Sequence, residues 1–266
     1  MSATTQPANH VGVLVVLRHG QSTWNALNLF TGWHDVPLSE QGEREADAAG
    51  RTLREAGMRF DIAYTSLLTR AIDTNRRALA QLGQPELPVV TDWRLNERHY
   101  GALQGLDKKA TTQRHGADQT KLWRRSFDVP PPPVDRSSAE HPANDPRYAH
   151  LDPSVLPATE CLQDVVTRVV PVWHETLVPQ LRSGKHVLVV AHGNSLRALA
   201  MHLEGLTRNE IAEFNIPTGV PRVYRFHTPT PDDDGRHELR VSQVSYLGDE
   251  TAIAAATNAV AAQAGT

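Results

Sequence analysis

The chain has 266 residues, 39% of them hydrophobic and 21% charged, with a formal net charge of −3. That length allows one large α/β domain or two smaller ones, and the composition is that of a globular chain. The charge balance argues against general nucleic-acid binding, which needs a basic field, but leaves room for a local cationic pocket. A single cysteine, Cys161, excludes an internal disulfide and agrees with a reducing, cytoplasmic setting. No apolar run approaches the roughly 20 residues of a membrane helix, so no membrane contact is expected. Residues 1–10 are polar, lack the apolar core of a signal peptide and read as a disordered extension.

The first apolar run, Val13 to Leu17, is β-branched and reads as a buried strand ending in Arg18-His19-Gly20. Ser39 is placed to cap a helix in which Ala46, Ala49, Leu53 and Ala56 recur at helical spacing before Gly57. Asp61–Thr65 reads as a short strand. Ser66 is expected to cap the next helix, which runs through Leu82 with Arg70 in its first turn. Leu87–Val90 is a further strand candidate.

From about residue 106 to 157 the pattern breaks into two polar helical pieces, near Lys108–Arg114 and Gln119–Phe127, then a proline-rich irregular stretch starting at Pro130. Such an insertion is expected to be a lid. A long helix over about Glu160–Leu181 should kink at Pro171. It leads to a second apolar run, Val187 to Val190, ending in Ala191-His192-Gly193-Asn194-Ser195. A helix follows through Leu203, and Thr207 and Glu210 have capping-box spacing for another. Val220–Phe226 and Glu238–Tyr246 read as late strands, and the Ala-rich residues from 249 on as a flexible tail. The expected class is α/β: a mostly parallel central sheet with helices on both faces, plus the lid, with one domain over 11–248.

Two strands that each end in His-Gly carry the chemistry. In a parallel sheet, ligands collect at the carboxyl ends of strands, so His19 and His192 should face one crevice if their strands are neighbours. A neutral imidazole held by a backbone carbonyl is a nucleophile toward phosphorus. Ser22 and Asn25 can donate to phosphate oxygens, and Thr31-Gly32 forms a second small-residue loop. Arg18, Arg70, Arg124 and Arg125 offer guanidinium forks for an anion. Glu97 is a candidate proton carrier, and His192 a donor to developing charge, with Asn194 opening a helix N-terminus beside it. Arg114-His115-Gly116 repeats the tripeptide without a strand, so His115 is read as a surface residue. No His-Glu-x-x-His helix or Cys/His cluster is present, and no metal is expected.

With these residues in hand the chain resembles the histidine phosphatase superfamily, and within it the 2,3-bisphosphoglycerate-dependent phosphoglycerate mutases. The matching runs are Leu17 to Asn25, Phe30-Thr31-Gly32-Trp33, Leu38 to Gly42, and Ala63 to Ser66 with Arg70-Ala71. They continue through Leu95 to Leu106, Trp123-Arg124-Arg125, Ala191 to Ala198 and Ile216 to Pro221. The resemblance implies that His19 becomes a phosphohistidine, Glu97 is proton donor and acceptor, and His192 stabilises the transition state. It places substrate phosphate and carboxylate at Arg18, Ser22, Asn25, Thr31, Gly32 and Arg70. It adds Arg98, Tyr100, Lys108, Arg124, Arg125, Gly193 and Asn194. The implied reaction interconverts 2- and 3-phosphoglycerate in glycolysis and gluconeogenesis. 2,3-Bisphosphoglycerate is the implied priming cofactor, and a dimer or tetramer the implied assembly. Asp107 departs from the Asn expected before Lys108. A phosphatase on the same fold, with water as the acceptor, is the rival reading.

Overall fold

The computed structural model describes residues 11–227 and 239–265, so the expected N-terminal extension at 1–10 lies outside the described residues. Six strands form one sheet in the order β3-β2-β4-β1-β5-β6. They are β1 (Leu14–Arg18), β2 (Ile62–Thr65), β3 (Val89–Thr91), β4 (Val187–Ala191), β5 (Arg222–Phe226) and β6 (Val241–Tyr246). The first four are mutually parallel, and β5 and β6 extend the sheet antiparallel beyond β1. The mostly parallel α/β architecture expected from the sequence is therefore present.

Strand alternation divides the core in two. Leu14, Val16, Val187, Val189 and Ala191 face one side, against Leu162, Val165, Val169 and Leu199. Val15, Leu17, Leu188 and Val190 face the other, against Ala49, Leu53, Ala78 and Leu79. The first side is covered by α6 (Leu162–Val172) and α8 (Gly193–Glu204), the second by α2 (Glu40–Glu55) and α3 (Thr69–Leu82). Both apolar runs read as buried strands because both their faces are covered.

The helix boundaries show where local signals suffice. Ser39 Oγ accepts from Gly42 N at 3.1 Å and caps α2, and Thr207 and Glu210 form a capping box on α9 (Arg208–Glu213). Helix α3 departs from expectation. It begins at Thr69 with no side-chain cap from its own strand–helix turn. Asp35, from a distant loop, instead accepts from Thr69 N at 2.8 Å and from Thr69 Oγ1 at 2.7 Å. Ser66, the expected cap, bonds His192. The long helix near residue 170 ends at Val172 and passes through a π-helical turn, Trp173–Leu177, into α7 (Val178–Arg182). Pro171 and Pro179 flank that turn; neither has an N–H to bond the carbonyl four residues back, so the ladder between them widens.

The insertion contains α4 (Lys108–His115) and α5 (Ala117–Arg125), followed by single 3₁₀ turns. Its second half is a buttress and not part of a lid over the crevice. Tyr148 and Leu156 pack with Trp33, and none of residues 126–161 lines the main cavity. The Ala-rich tail, expected to be flexible, is laid down as α10 (Glu250–Gly265), and Val260 on it reaches that cavity. Exposed His115 packs edge-on against Trp123, as expected of a surface residue.

The loop after β1 meets α2 at van der Waals limit. A Cβ on Gly42 would stand 1.9 Å from Gln21 O, and one on Gly20 would stand 2.2 Å from Gly42 O. Backbone cannot yield as a side chain does, so Gly42→Ala should lower stability by about 1–3 kcal/mol through overpacking. It should also lower activity by displacing the His19 loop. An unchanged melting temperature would contradict this contact.

Candidate active site

The parallel pairing of β1 with β4 sets Arg18 opposite Ala191. The next residue of each chain is therefore a histidine, and the two rings meet edge to face with centroids 4.9 Å apart. His19 N also donates to Ala191 O at 3.0 Å, tying the two strand ends together.

His19 is buried, and its Nδ1 lies 2.7 Å from Gly20 O. A carbonyl only accepts, so Nδ1 carries the proton and Nε2 keeps its lone pair. Burial, with Arg70 and Arg18 beside it, holds the His19 pKa well below the ordinary imidazole value. The ring is thus neutral and nucleophilic at neutral pH. His192 is fully buried; its Nε2 is 2.7 Å from Ser66 Oγ, which itself accepts from Leu68 N at 3.1 Å. Nδ1 of His192 has no hydrogen-bond partner in the protein. Burial first, then Arg70 and His19, depress the His192 pKa as well.

The crevice above these rings is a cavity of about 110 Å³. Six cationic side chains line it: Arg18, Arg70, Lys108, Arg124, Arg125 and Arg197, against the carboxylate of Glu97. A chain of net negative charge has therefore gathered a strongly cationic pocket. Arg18 donates to Ile216 O at 2.9 Å, and Arg70 to Gly32 O at 2.7 Å and His34 O at 3.0 Å, so both forks are fixed in place. Burial pushes Arg70 down to about 10 and Lys108 to about 8, so both still carry charge at neutral pH. Burial raises the Tyr100 phenol, but Arg98 and Lys108 outweigh it and bring it down to about 8.

Glu97 Oε1 accepts from Arg98 N at 2.7 Å and Asn194 N at 3.1 Å, and is saturated. Oε2 is the oxygen left to exchange a proton. Both Oε2 and the Arg18 guanidinium border the space that a side chain on Gly193 would fill: a Cβ there would stand 3.6 Å from Oε2 and 3.4 Å from Arg18 Cζ.

Most expected site residues converge: Arg18, His19, Asn25, Thr31, Gly32, Arg70, Glu97, Tyr100, Lys108, Arg124, Arg125, Gly193 and Asn194 all line the cavity. Three expected residues do not line it. His192 lies beneath its floor, against His19. Ser22 is fully buried and caps α1 (Thr23–Ala26), exchanging hydrogen bonds with Asn25 at 3.1 Å each way. It therefore aims Asn25. Arg98 is buried behind Tyr100, its guanidinium 4.5 Å from the ring centroid, and donates to Arg124 O at 2.9 Å. It holds the end of α5.

Four residues not read from the sequence as part of the site also shape it. Arg197 and Asn215 line the cavity, and Ser66 holds His192. Arg168 clamps the Glu97 segment from below. It donates to Arg94 O at 2.6 Å, Asn96 O at 2.9 Å and Glu97 O at 2.9 Å, and pairs with Glu160 at 2.6 Å. Glu160 in turn accepts from His99 N at 2.7 Å. One signal for Arg168 was available: it interrupts the stripe Leu162, Val165, Val169, Val172 on a buried helix face. A charge there needs buried partners.

Among the described residues, no group of three or more His, Cys, Asp or Glu side chains is arranged to hold a metal ion. None of their helices is long and apolar enough to cross a membrane.

The histidine phosphatase superfamily (branch 1) matches residues 14–231. The chain belongs to that family. Among solved structures it is similar to mycobacterial hydrolase 1, with 25% identity and a TM-score of 0.66 over 88% of this chain and 97% of that one. It also shares its fold with a mycobacterial glucosyl-3-phosphoglycerate phosphatase, at 23% identity and a TM-score of 0.64 over 88% and 97%. A further structure alike in fold is a putative α-ribazole-5'-phosphate phosphatase from Escherichia coli K-12, at 22% identity and a TM-score of 0.61 over 81% and 91%. The family points to phosphoryl transfer through a histidine.

The buried histidines set a pH dependence. His19 and His192 hold pKa values well below 6.5, and burial brings His99 down to about 4. In the unfolded chain they protonate near 6.5. Below that pH the unfolded state binds more protons, so their stabilising contribution is full above pH 6.5 and fades as pH falls. Imidazole NMR signals of His19 and His192 should stay neutral from pH 8 down to 6, and the melting temperature should drop between pH 7 and 5. A midpoint near 6.5 for either ring would contradict the burial argument.

Proposed function

We propose that the protein interconverts 2- and 3-phosphoglycerate through a phosphohistidine on His19, primed by 2,3-bisphosphoglycerate, in glycolysis and gluconeogenesis. The observation that carries this reading is the second cationic group in the cavity. Lys108 opens α4, Arg124 and Arg125 close α5, and all three face the pocket that already holds Arg18 and Arg70. Transfer from a simple phosphomonoester needs charge only around the phosphoryl group. Two groups of cations suit a ligand with an anion at each end.

The residues divide the work. His19 Nε2 attacks phosphorus in line with the departing oxygen, and Glu97 Oε2 supplies that oxygen's proton. In the return step the same carboxylate takes the proton from the incoming hydroxyl. Arg18 and Arg70 meet the charge on the transferring oxygens, already oriented before the reaction, and His192, packed edge-on against His19, is assigned to stabilise the same transition state. The bisphosphorylated cofactor, when bound, supplies the phosphoryl group that loads His19. The cavity suits it: Arg18 Nε and Thr31 Oγ1 are buried polar atoms without protein partners, and five further cationic side chains line the same space. Val260 of α10 lines it beside Lys108, Arg124 and Arg125, and exclusion of water there would favour return of the phosphoryl group to a glycerate.

Hydrolysis is the competing outcome, and similarity to structures of phosphatases keeps it in view. With purified protein, 3-phosphoglycerate and catalytic 2,3-bisphosphoglycerate, isomerisation is expected to outrun phosphate release. His19→Ala should abolish it, and Glu97→Gln should lower kcat by about 10²–10⁴-fold. Faster hydrolysis than isomerisation would make the protein a phosphatase. Arg124→Ala and Arg125→Ala should each raise KM about tenfold or more with little change in melting temperature, because both side chains line the cavity and belong to none of the apolar clusters of the core. A large loss of melting temperature with unchanged KM would remove them from the binding site.

A further inference from the structure

Arg197 is a buried cation that phosphoryl transfer at His19 does not require. It lies on α8 one turn after Asn194 and lines the cavity, with only 5% of its surface exposed. Its Nη1 donates to Asn194 Oδ1 at 2.8 Å, and its Nη2 donates to Ile211 O. Its Nε has no protein partner. No acidic side chain pairs with it among the described residues' ion pairs, although burying an unpaired charge is costly. Burial, with Arg125 and Arg98 nearby, brings it down to about 9, which leaves it charged at neutral pH.

Arg125, Arg98, Tyr100 and the Glu97 carboxylate all stand near enough to act on Arg197. Arg125 itself donates to Asn215 Oδ1 at 3.0 Å, on the same side of the cavity. The contact with Asn194 has a direct chemical consequence. A guanidinium only donates, so Arg197 claims the amide oxygen of Asn194. The Asn194 NH₂ is thereby turned outward, 3.4 Å from the Tyr100 hydroxyl and facing the cavity. An asparagine free to flip would also present its oxygen there, and an acceptor repels a carboxylate.

We propose that Arg197 is a specificity-determining residue: by fixing Asn194 as a donor and adding its own buried charge, it selects phosphomonoesters that also carry a carboxylate. This rests on the substrate reading above and adds Arg197, as a positioning side chain, to the recognition made by Lys108, Arg124 and Arg125.

Two ligands separate the contributions. 2-Phosphoglycolate carries phosphate and carboxylate, and glycerol 3-phosphate carries phosphate without carboxylate. Binding of each to wild type, Arg197→Met and Arg197→Lys is measured by calorimetry. Wild type should bind phosphoglycolate at least about tenfold more tightly, as expected for one charge-assisted contact. Arg197→Met should reduce that preference below about threefold and leave glycerol 3-phosphate within about twofold of wild type. Arg197→Lys, which keeps charge but not the two-pronged hold, should fall between. It decides the matter if Arg197→Met does not fold, with at least a threefold loss of preference required.

Equal weakening of both ligands, or an unchanged preference, overturns the proposal, as does a wild type with no preference. Isomerisation by the same wild-type preparation is measured separately. Its absence would sink the mutase reading while the ratio of the two affinities still judged Arg197.

Discussion

The molecule's chemistry depends on one backbone constraint, the parallel pairing of β1 with β4 in a register that ends both strands together. A shift of one residue would send one of the two histidines to the opposite face of the sheet. The register is protected by burial on both sides, because every alternate residue of each strand belongs to one of two apolar clusters. Catalytic geometry is thus fixed by the most stable part of the fold. Helices α4, α5 and α10 bring Lys108, Arg124, Arg125 and Val260 to the cavity from beyond the sheet.

Around that centre the protein uses neutral imidazoles among fixed cations. Arg18 and Arg70 serve two ends at once: they attract an anion, and they repel a proton from His19. The cost of burying these guanidiniums is offset by backbone carbonyls, Ile216 for Arg18 and Gly32 and His34 for Arg70. Carbonyl partners satisfy donors without neutralising charge, so the field survives for the ligand. Arg168 shows the opposite solution. Its charge is cancelled by Glu160, and its role is to gather the carbonyls of residues 94–97 so that Glu97 is presented rigidly.

Much of this was legible in local sequence. The two apolar runs, the Ser39 cap, the Thr207 capping box and the helical placement of Arg70 all depend on residues within a few positions of one another. The cavity-lining residues were legible because the motif resemblance carries spatial information that periodicity lacks. Ser22 and Arg98 were read as ligand contacts because they lie inside the motifs. In the fold Ser22 caps its own helix and Arg98 stacks on Tyr100, and neither lines the cavity. The cap on α3 was invisible for the converse reason. Asp35 lies 34 residues away from Thr69, and nothing near the helix start announces it. The same holds for Ser66 and His192, 126 residues apart.

The insertion illustrates how one sequence pattern can hold two structural roles. Its helical half delivers cations to the cavity, and its proline-rich half props the Trp33 loop from behind. The central claim, that His19 Nε2 is the phosphoryl carrier for a glycerate acceptor, is tested most directly by labelling. Protein incubated with phosphoryl-labelled 2,3-bisphosphoglycerate should gain acid-labile label on Nε2 of His19. Adding unlabelled 3-phosphoglycerate should chase that label into phosphoglycerates. Label on another residue, or label released only as inorganic phosphate, would contradict the account.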